Sequence, residues 1–288
     1  MELKEDFRVY PTRLIQFRWF PRKWLITKHM NVEPETEILG ARMGTVIHTV
    51  CEKFFSEINP ELAKENPESH FVEVVKVLRQ NNWDYKIPNE KIPIADEILK
   101  NFAVNSAYTY SQLLARKMED KFYPKAVELE LKSKLLPIGA RIDRINQSFN
   151  CVDYKSDFFN PAEILFKPVA EQDDEDKAKF KYYMEALTIQ AIFAAILIEE
   201  EYGILPKTFI YAYLRHLNKD GSKGIIEVEI TREKIDRVKA WLNEMIEDVK
   251  ADRFPHCTEK NPRACYYYNS PCEFRTFCDS VSLCIFSI

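Results

Sequence analysis

Three short runs of apolar residues follow one another at residues 125–134, 138–146 and 149–155, and this block most narrows the folds open to the chain. In the first run Val127, Leu129 and Leu131 alternate with Glu128, Glu130 and Lys132, the period of a half-buried strand. Asn146-Gln147-Ser148 supplies a turn between the second and third, so these two predict neighbouring strands of a hairpin. Each carries an acid inside its apolar run: Asp143 in Gly139-Ala-Arg-Ile-Asp143-Arg-Ile, and Asp153 in Val152-Asp153-Tyr154-Lys155. Residues i and i+2 of a strand share a face, so Asp153 and Lys155 point the same way. Two carboxylates can hold a hard divalent cation through oxygen, and a lysine beside them can orient a water or stabilise charge on a phosphate. A surface hairpin with ordinary ion pairs explains the same residues, because Asp-x-Lys is a common tripeptide.

Helical spacing surrounds the block. Apolar residues recur at helical period over 39–56, 70–82 and 94–117, and a long apolar helix is predicted over 177–202, ended by Gly203 and Pro206. The acidic stretch 171–176 before it is predicted as a solvated loop. A strand at 208–214, a turn at 218–221, an alternating run at 224–230 and a helix capped by Thr231 and running to about Val249 complete the order. The pattern predicts a mixed α+β fold, with an N-terminal helical region (1–120), a core (121–252) and a cysteine-rich C-terminal cap (253–288).

Composition excludes more than it identifies. Only 6 glycines in 288 residues disfavour a glycine-rich nucleotide fold, and 46% hydrophobic with 30% charged residues is ordinary for a soluble globular chain. No apolar run is read as long enough for a bilayer and the N-terminus does not resemble a signal peptide, so a cytoplasmic location without membrane partners is expected. The net charge of -4 leaves any nucleic-acid contact to local patches. One such patch is N-terminal: Arg13, Arg18, Arg22, Lys23 and Lys28 interleave with Phe17, Trp19, Phe20 and Trp24. That mixture suits a single-strand channel, with cations on phosphates and rings on bases. It equally suits a basic amphipathic helix whose rings enter the core.

Two further residues and a tail stand at informative positions. His48 lies in Gly44-Thr-Val-Ile-His48, early in the first long helix, and an imidazole can complete a carboxylate metal site. Gln190 interrupts the apolar 177–202 helix, where an amide needs a polar partner. The tail holds Cys257, Cys265, Cys272, Cys278 and Cys284.

Taken in order, these residues resemble the RecB-like branch of the PD-(D/E)XK nuclease superfamily, including the CRISPR-associated RecB-like nucleases. The likeness rests on His48, on Asp143 with the Arg-Ile that follows it, on Asp153-Tyr154-Lys155 and on Gln190. Tyr10-Pro-Thr-Arg-Leu14 and Phe20-Pro-Arg-Lys-Trp24 near the start also match it. The resemblance implies a restriction-endonuclease-like core sheet flanked by helices and a divalent-metal-dependent DNA nuclease, an exonuclease acting on single strands or ends. It implies Mg²⁺ or Mn²⁺ held by His48, Asp143, Asp153 and the Tyr154 carbonyl. Lys155 would position the attacking water with Gln190 in support, and Arg22, Lys23 and Tyr154 would meet DNA. Glu128 matches a glutamate often found upstream in the family. A helicase or CRISPR-adaptation proteins would be separate partners.

The resemblance also implies a [4Fe–4S] cluster, closed in many relatives by one N-terminal and three C-terminal cysteines. Phe20 stands where the N-terminal ligand is expected, so Cys257 would have to join Cys265, Cys272 and Cys278, with Cys51 and Cys284 as weaker substitutes. A zinc site and metal-free packing of these cysteines are the alternatives.

Overall fold

The computed structural model describes residues 7–25, 39–156 and 161–254. Its centre is a five-stranded mixed sheet in the order β1 (Ala126–Lys132), β2 (Gly139–Ile145), β3 (Cys151–Lys155), β4 (Thr208–Tyr213) and β5 (Ile225–Glu229). Neighbouring strands are antiparallel except β3 and β4, which run parallel. Parallel neighbours need a long crossover. Here it holds the short helix α7 (Pro161–Leu165) and the 29-residue α8 (Asp174–Tyr202). This is the mixed α+β architecture that the alternation of strand and helix periods predicts.

Helices cover both faces. On one, α1 (Pro11–Trp19), α8 and α9 (Arg232–Lys250) bury Ile142, Ile145, Phe209 and Tyr211 of the sheet against Phe193, Leu197, Leu242 and Leu14. On the other, α3 (Leu39–Glu57), α5 (Pro67–Asn81) and α6 (Ile92–Ala115) close over Tyr154, Ala212 and Leu214. There Phe54 meets Phe71 and Phe102 edge to face, at centroid distances of 5.1 and 4.9 Å. Both layers hold candidate site residues: His48 on α3 and Gln190 on α8.

The acidic stretch is not wholly a loop. Asp173 caps α8 by accepting the Asp176 N–H at 2.8 Å, and Asp174, Glu175 and Asp176 form its first turn. Negative charge at that end complements the helix dipole, a local gain that outweighs the repulsion that favours a loop. At the other end Gly203 closes the helix in the left-handed conformation, φ 68°. By length and mean hydropathy α8 does reach the size of a membrane span, unlike the reading above, but Ile189 and Ala191–Ile198 are buried within the fold. The helix α4 (Pro60–Glu65) was not anticipated; Asn59 caps it with bonds to the N–H groups of Glu61 and Leu62.

The N-terminal aromatics take the packing role. Phe17 and Trp24 are buried and meet at 5.5 Å, and Phe254 stacks on Trp24. The Arg18 guanidinium lies 3.8 Å from the Trp241 ring centre and pairs with Glu185 and Glu244. Phe20 is buried against Tyr182. Arg22 and Lys23 belong to α2 (Pro21–Trp24), but their side chains, Lys28 and the tail cysteines lie outside the described residues.

Candidate active site

The site begins where two strands part. β2 pairs with β1 along its length but with β3 only at Arg144–Val152 and Ile145–Cys151. Beyond those pairs β3 follows β4, and a fork opens between Asp143 and Asp153. The Tyr154 N–H, without a β2 carbonyl opposite, donates to Asp143 Oδ2 at 2.8 Å. The carboxylate thus closes the gap in the ladder and is itself oriented by it.

Across the fork, β1 is deformed at the matching place. The β1–β2 ladder passes from Val127–Arg144 to Leu129–Ile142 and leaves Glu128 opposite Asp143 without regular pairing. Glu128 has φ 49°, a left-handed backbone uncommon for a residue with a side chain. The effect is visible in packing. Val127 joins the α3–α6 side, whereas Leu129 and Leu131 join the α8 side, although strict alternation would align all three. Such a conformation costs roughly 1–3 kcal/mol and is concentrated at functional sites.

Its consequence is a cluster. One ligand atom each from His48, Glu128 and Asp143 lies within 4.8 Å of the others. His48 Nδ1 is 3.2 Å from Asp143 Oδ2. His48 is brought there by α3, whose Gly44, one turn earlier, passes so close to the end of β3 that an added Cβ would stand 3.4 Å from Ser156 Oγ. Burial disfavours the His48 cation, but the hydrogen bond and charge of Asp143 outweigh it and hold the imidazole pKa above its usual value. Burial likewise raises Asp143, and the His48 hydrogen bond and charge more than reverse it, so this carboxyl lies below the usual range. Glu128 is raised, chiefly by burial and then by the charge of Asp143.

Asp153 forms the second half. Lys155 Nζ is 2.6 Å from Asp153 Oδ1, and Gln190 bridges the two: its Nε2 donates to Asp153 Oδ2 and its Oε1 accepts from Lys155 Nζ at 3.2 Å. An amide carries both donor and acceptor, so it serves an anion and a cation at once. Asp153 is nearly fully buried; burial raises its pKa, opposed by Lys155. Asp153 Oδ1 is buried, with the Lys155 ammonium as its partner. A buried carboxylate oxygen that already faces a cation fits a cation ligand. The close donor set of one imidazole and two carboxylates, with Asp153 across the fork, suits a hard or borderline divalent ion.

Of the residues singled out from sequence, His48, Asp143, Asp153, Lys155 and Gln190 are brought together. Tyr154 is placed otherwise for DNA contact: its side chain is buried, its ring meets Phe102, and its hydroxyl accepts from Arg144 at 3.3 Å. Cys51 is buried on α3, and burial pushes its thiol well above the usual range. The supports supplied by Arg144 and Tyr211 were missed. Arg144 also holds the Phe122 carbonyl, and the Tyr211 ring lies 5.4 Å below the Lys155 ammonium. A signal for Tyr211 was present: it alternates with Phe209 and Tyr213 in a predicted strand.

A family profile described as PD-(D/E)XK nuclease superfamily matches residues 8–279. No curated protein matched. Among solved structures, one described as a candidate exonuclease from Eubacterium rectale is similar at 11% identity with a TM-score of 0.47, over 96% of this chain and 98% of that one.

Proposed function

The chain belongs to the PD-(D/E)XK nuclease superfamily, and from that premise we propose a divalent-metal-dependent deoxyribonuclease that cleaves single strands or DNA ends as an exonuclease. The observation that carries the reading is the fork, where Asp143 on β2 and Asp153 and Lys155 on β3 converge with His48 and Gln190 from opposite helical layers.

His48, Asp143 and Asp153, with Glu128 as an added carboxylate, are the residues that would hold Mg²⁺ or Mn²⁺. The bound ion would supply an acidified water and neutralise charge on the scissile phosphate. Lys155, held beside Asp153 and aimed by Gln190, orients the water and stabilises charge developing on phosphate oxygen. Asp143 keeps the fork open by taking the Tyr154 N–H, which fixes the separation of the two strands. In-line attack then leaves a 5′-phosphate and a 3′-hydroxyl.

The test is a panel of labelled single-stranded DNA, double-stranded DNA and matched RNA against Mg²⁺ and Mn²⁺. DNA cleavage in the metals and none in chelator is the expected result. Asp153→Ala and Lys155→Ala should each lose about 10²–10³-fold in rate while circular dichroism shows the fold retained. Binding of DNA without cleavage under every metal would replace this reading by a silent binding subunit.

A further inference from the structure

Arg141 is a solvent-reaching cation at the site that the mechanism above does not use. It lies two residues before Asp143 on the same strand, so its side chain leaves β2 on the same face. Its Nε pairs with Glu128 Oε2, the carboxylate of the strained backbone position, which is itself grouped with His48 and Asp143. The two partners differ sharply in exposure: the Glu128 side chain is 10% exposed, that of Arg141 65%. The pair therefore runs from the interior of the cluster out to solvent. Glu130, opposite Arg141 in the ladder, is occupied by Lys132 at 3.2 Å and the Tyr10 hydroxyl at 3.3 Å.

A guanidinium has five N–H donors and a bidentate pair with one carboxylate engages two of them, so donors remain for a second anion. The surroundings favour one. Two carboxylates, Glu128 and Asp143, converge here with His48, and Lys155 is committed to Asp153 and Gln190. A phosphodiester approaching the fork needs a cation that reaches solvent, and a planar fork of donors matches phosphate oxygens.

Resting on the nuclease reading, we propose that Arg141 binds the substrate backbone, taking the non-bridging oxygens of a phosphate beside the scissile one, with Glu128 holding the guanidinium in place. An ordinary surface ion pair would make no such contact, and the two differ in measurable ways. Binding of a fluorescent single-stranded oligodeoxynucleotide is measured by anisotropy across a salt series in chelator, where nothing is cleaved, and initial rates are taken in Mn²⁺. For Arg141→Gln the affinity should fall about tenfold or more, the slope of log K against log salt should shrink by about 0.7, and the cleavage defect should lie in KM, not kcat. Arg141→Lys should keep the slope while recovering only part of the affinity. An unchanged slope and KM in Arg141→Gln, with wild-type cleavage intact, overturns the inference and leaves the nuclease reading standing. So does a change confined to Mn²⁺ affinity, measured by calorimetry on protein alone, because Arg141 would then act only through Glu128. A wild-type protein that neither binds nor cleaves DNA overturns both.

Discussion

Gln190 shows how much of the site depends on a neutral group. Its amide donates to Asp153 and accepts from Lys155, so it helps set the geometry of the acid–base pair on β3. Gln190→Ala should reduce single-turnover cleavage by about 10–100-fold, the usual cost of removing an outer partner of a metal-site ligand. Gln190→Glu should do worse, because a second carboxylate would face Asp153 Oδ2 and remove the hydrogen bond it receives. Rates equal to wild type in both variants would show that the bridge is not used. The residue itself was legible in sequence, since an amide within an apolar helix demands a partner. Glu128 was legible as one polar residue in an alternating strand and, through the resemblance, as a glutamate often found upstream, but not as a deformed position. Its left-handed backbone has no signal in residue type, because glutamate is not a residue that favours positive φ.

Elements were read well where pattern and caps agree. α3, α6 and α9 follow their apolar spacing, and Thr231 caps α9 by accepting the Lys234 N–H at 3.3 Å, as its position implied. Reading failed where a cap outweighed a charge run, at the start of α8, and where a helix is too short for periodicity, at α4. The fork between β2 and β3 was also hidden, because alternation predicts a strand but not how far its ladder extends. At the C-terminal end of α8 the physics is simple enough to measure. Gly203 sits at φ 68° with open space around its Cα, so Gly203→Ala adds backbone strain and no clash. The expected cost is about 1–2 kcal/mol, seen as a lower melting temperature with cleavage per folded molecule unchanged. A melting point equal to wild type would mean that the helix end relaxes around the substitution.

At the scale of the whole molecule, the site draws on both helical layers through one sheet. His48 comes from the α3 layer, Gln190 from the α8 layer, and the carboxylates lie on the strands between them. Without an ion, Glu128, Asp143 and Asp153 concentrate like charge in a buried volume, relieved by His48, Arg141 and Lys155. A ligand that binds the folded site and not the unfolded chain adds stability as RT ln(1 + [L]/Kd), about 2.7 kcal/mol at a hundredfold excess. Mn²⁺ should therefore raise the melting temperature of the wild-type protein in the absence of any DNA, and chelator should reverse the rise. Asp143→Asn should lose most of that increment, because one substitution takes a charge from the ion and leaves the hydrogen bond from Tyr154 an acceptor. His48→Ala should lose part of it, while Lys155→Ala should keep or enlarge it, since removing a cation beside Asp153 favours another. That opposite sign separates a metal centre from a set of structural ion pairs, in which every one of these substitutions would simply lower stability. If Mn²⁺ leaves the melting temperature of wild type and Lys155→Ala unchanged at millimolar concentration, the carboxylates at the fork do not form a metal site.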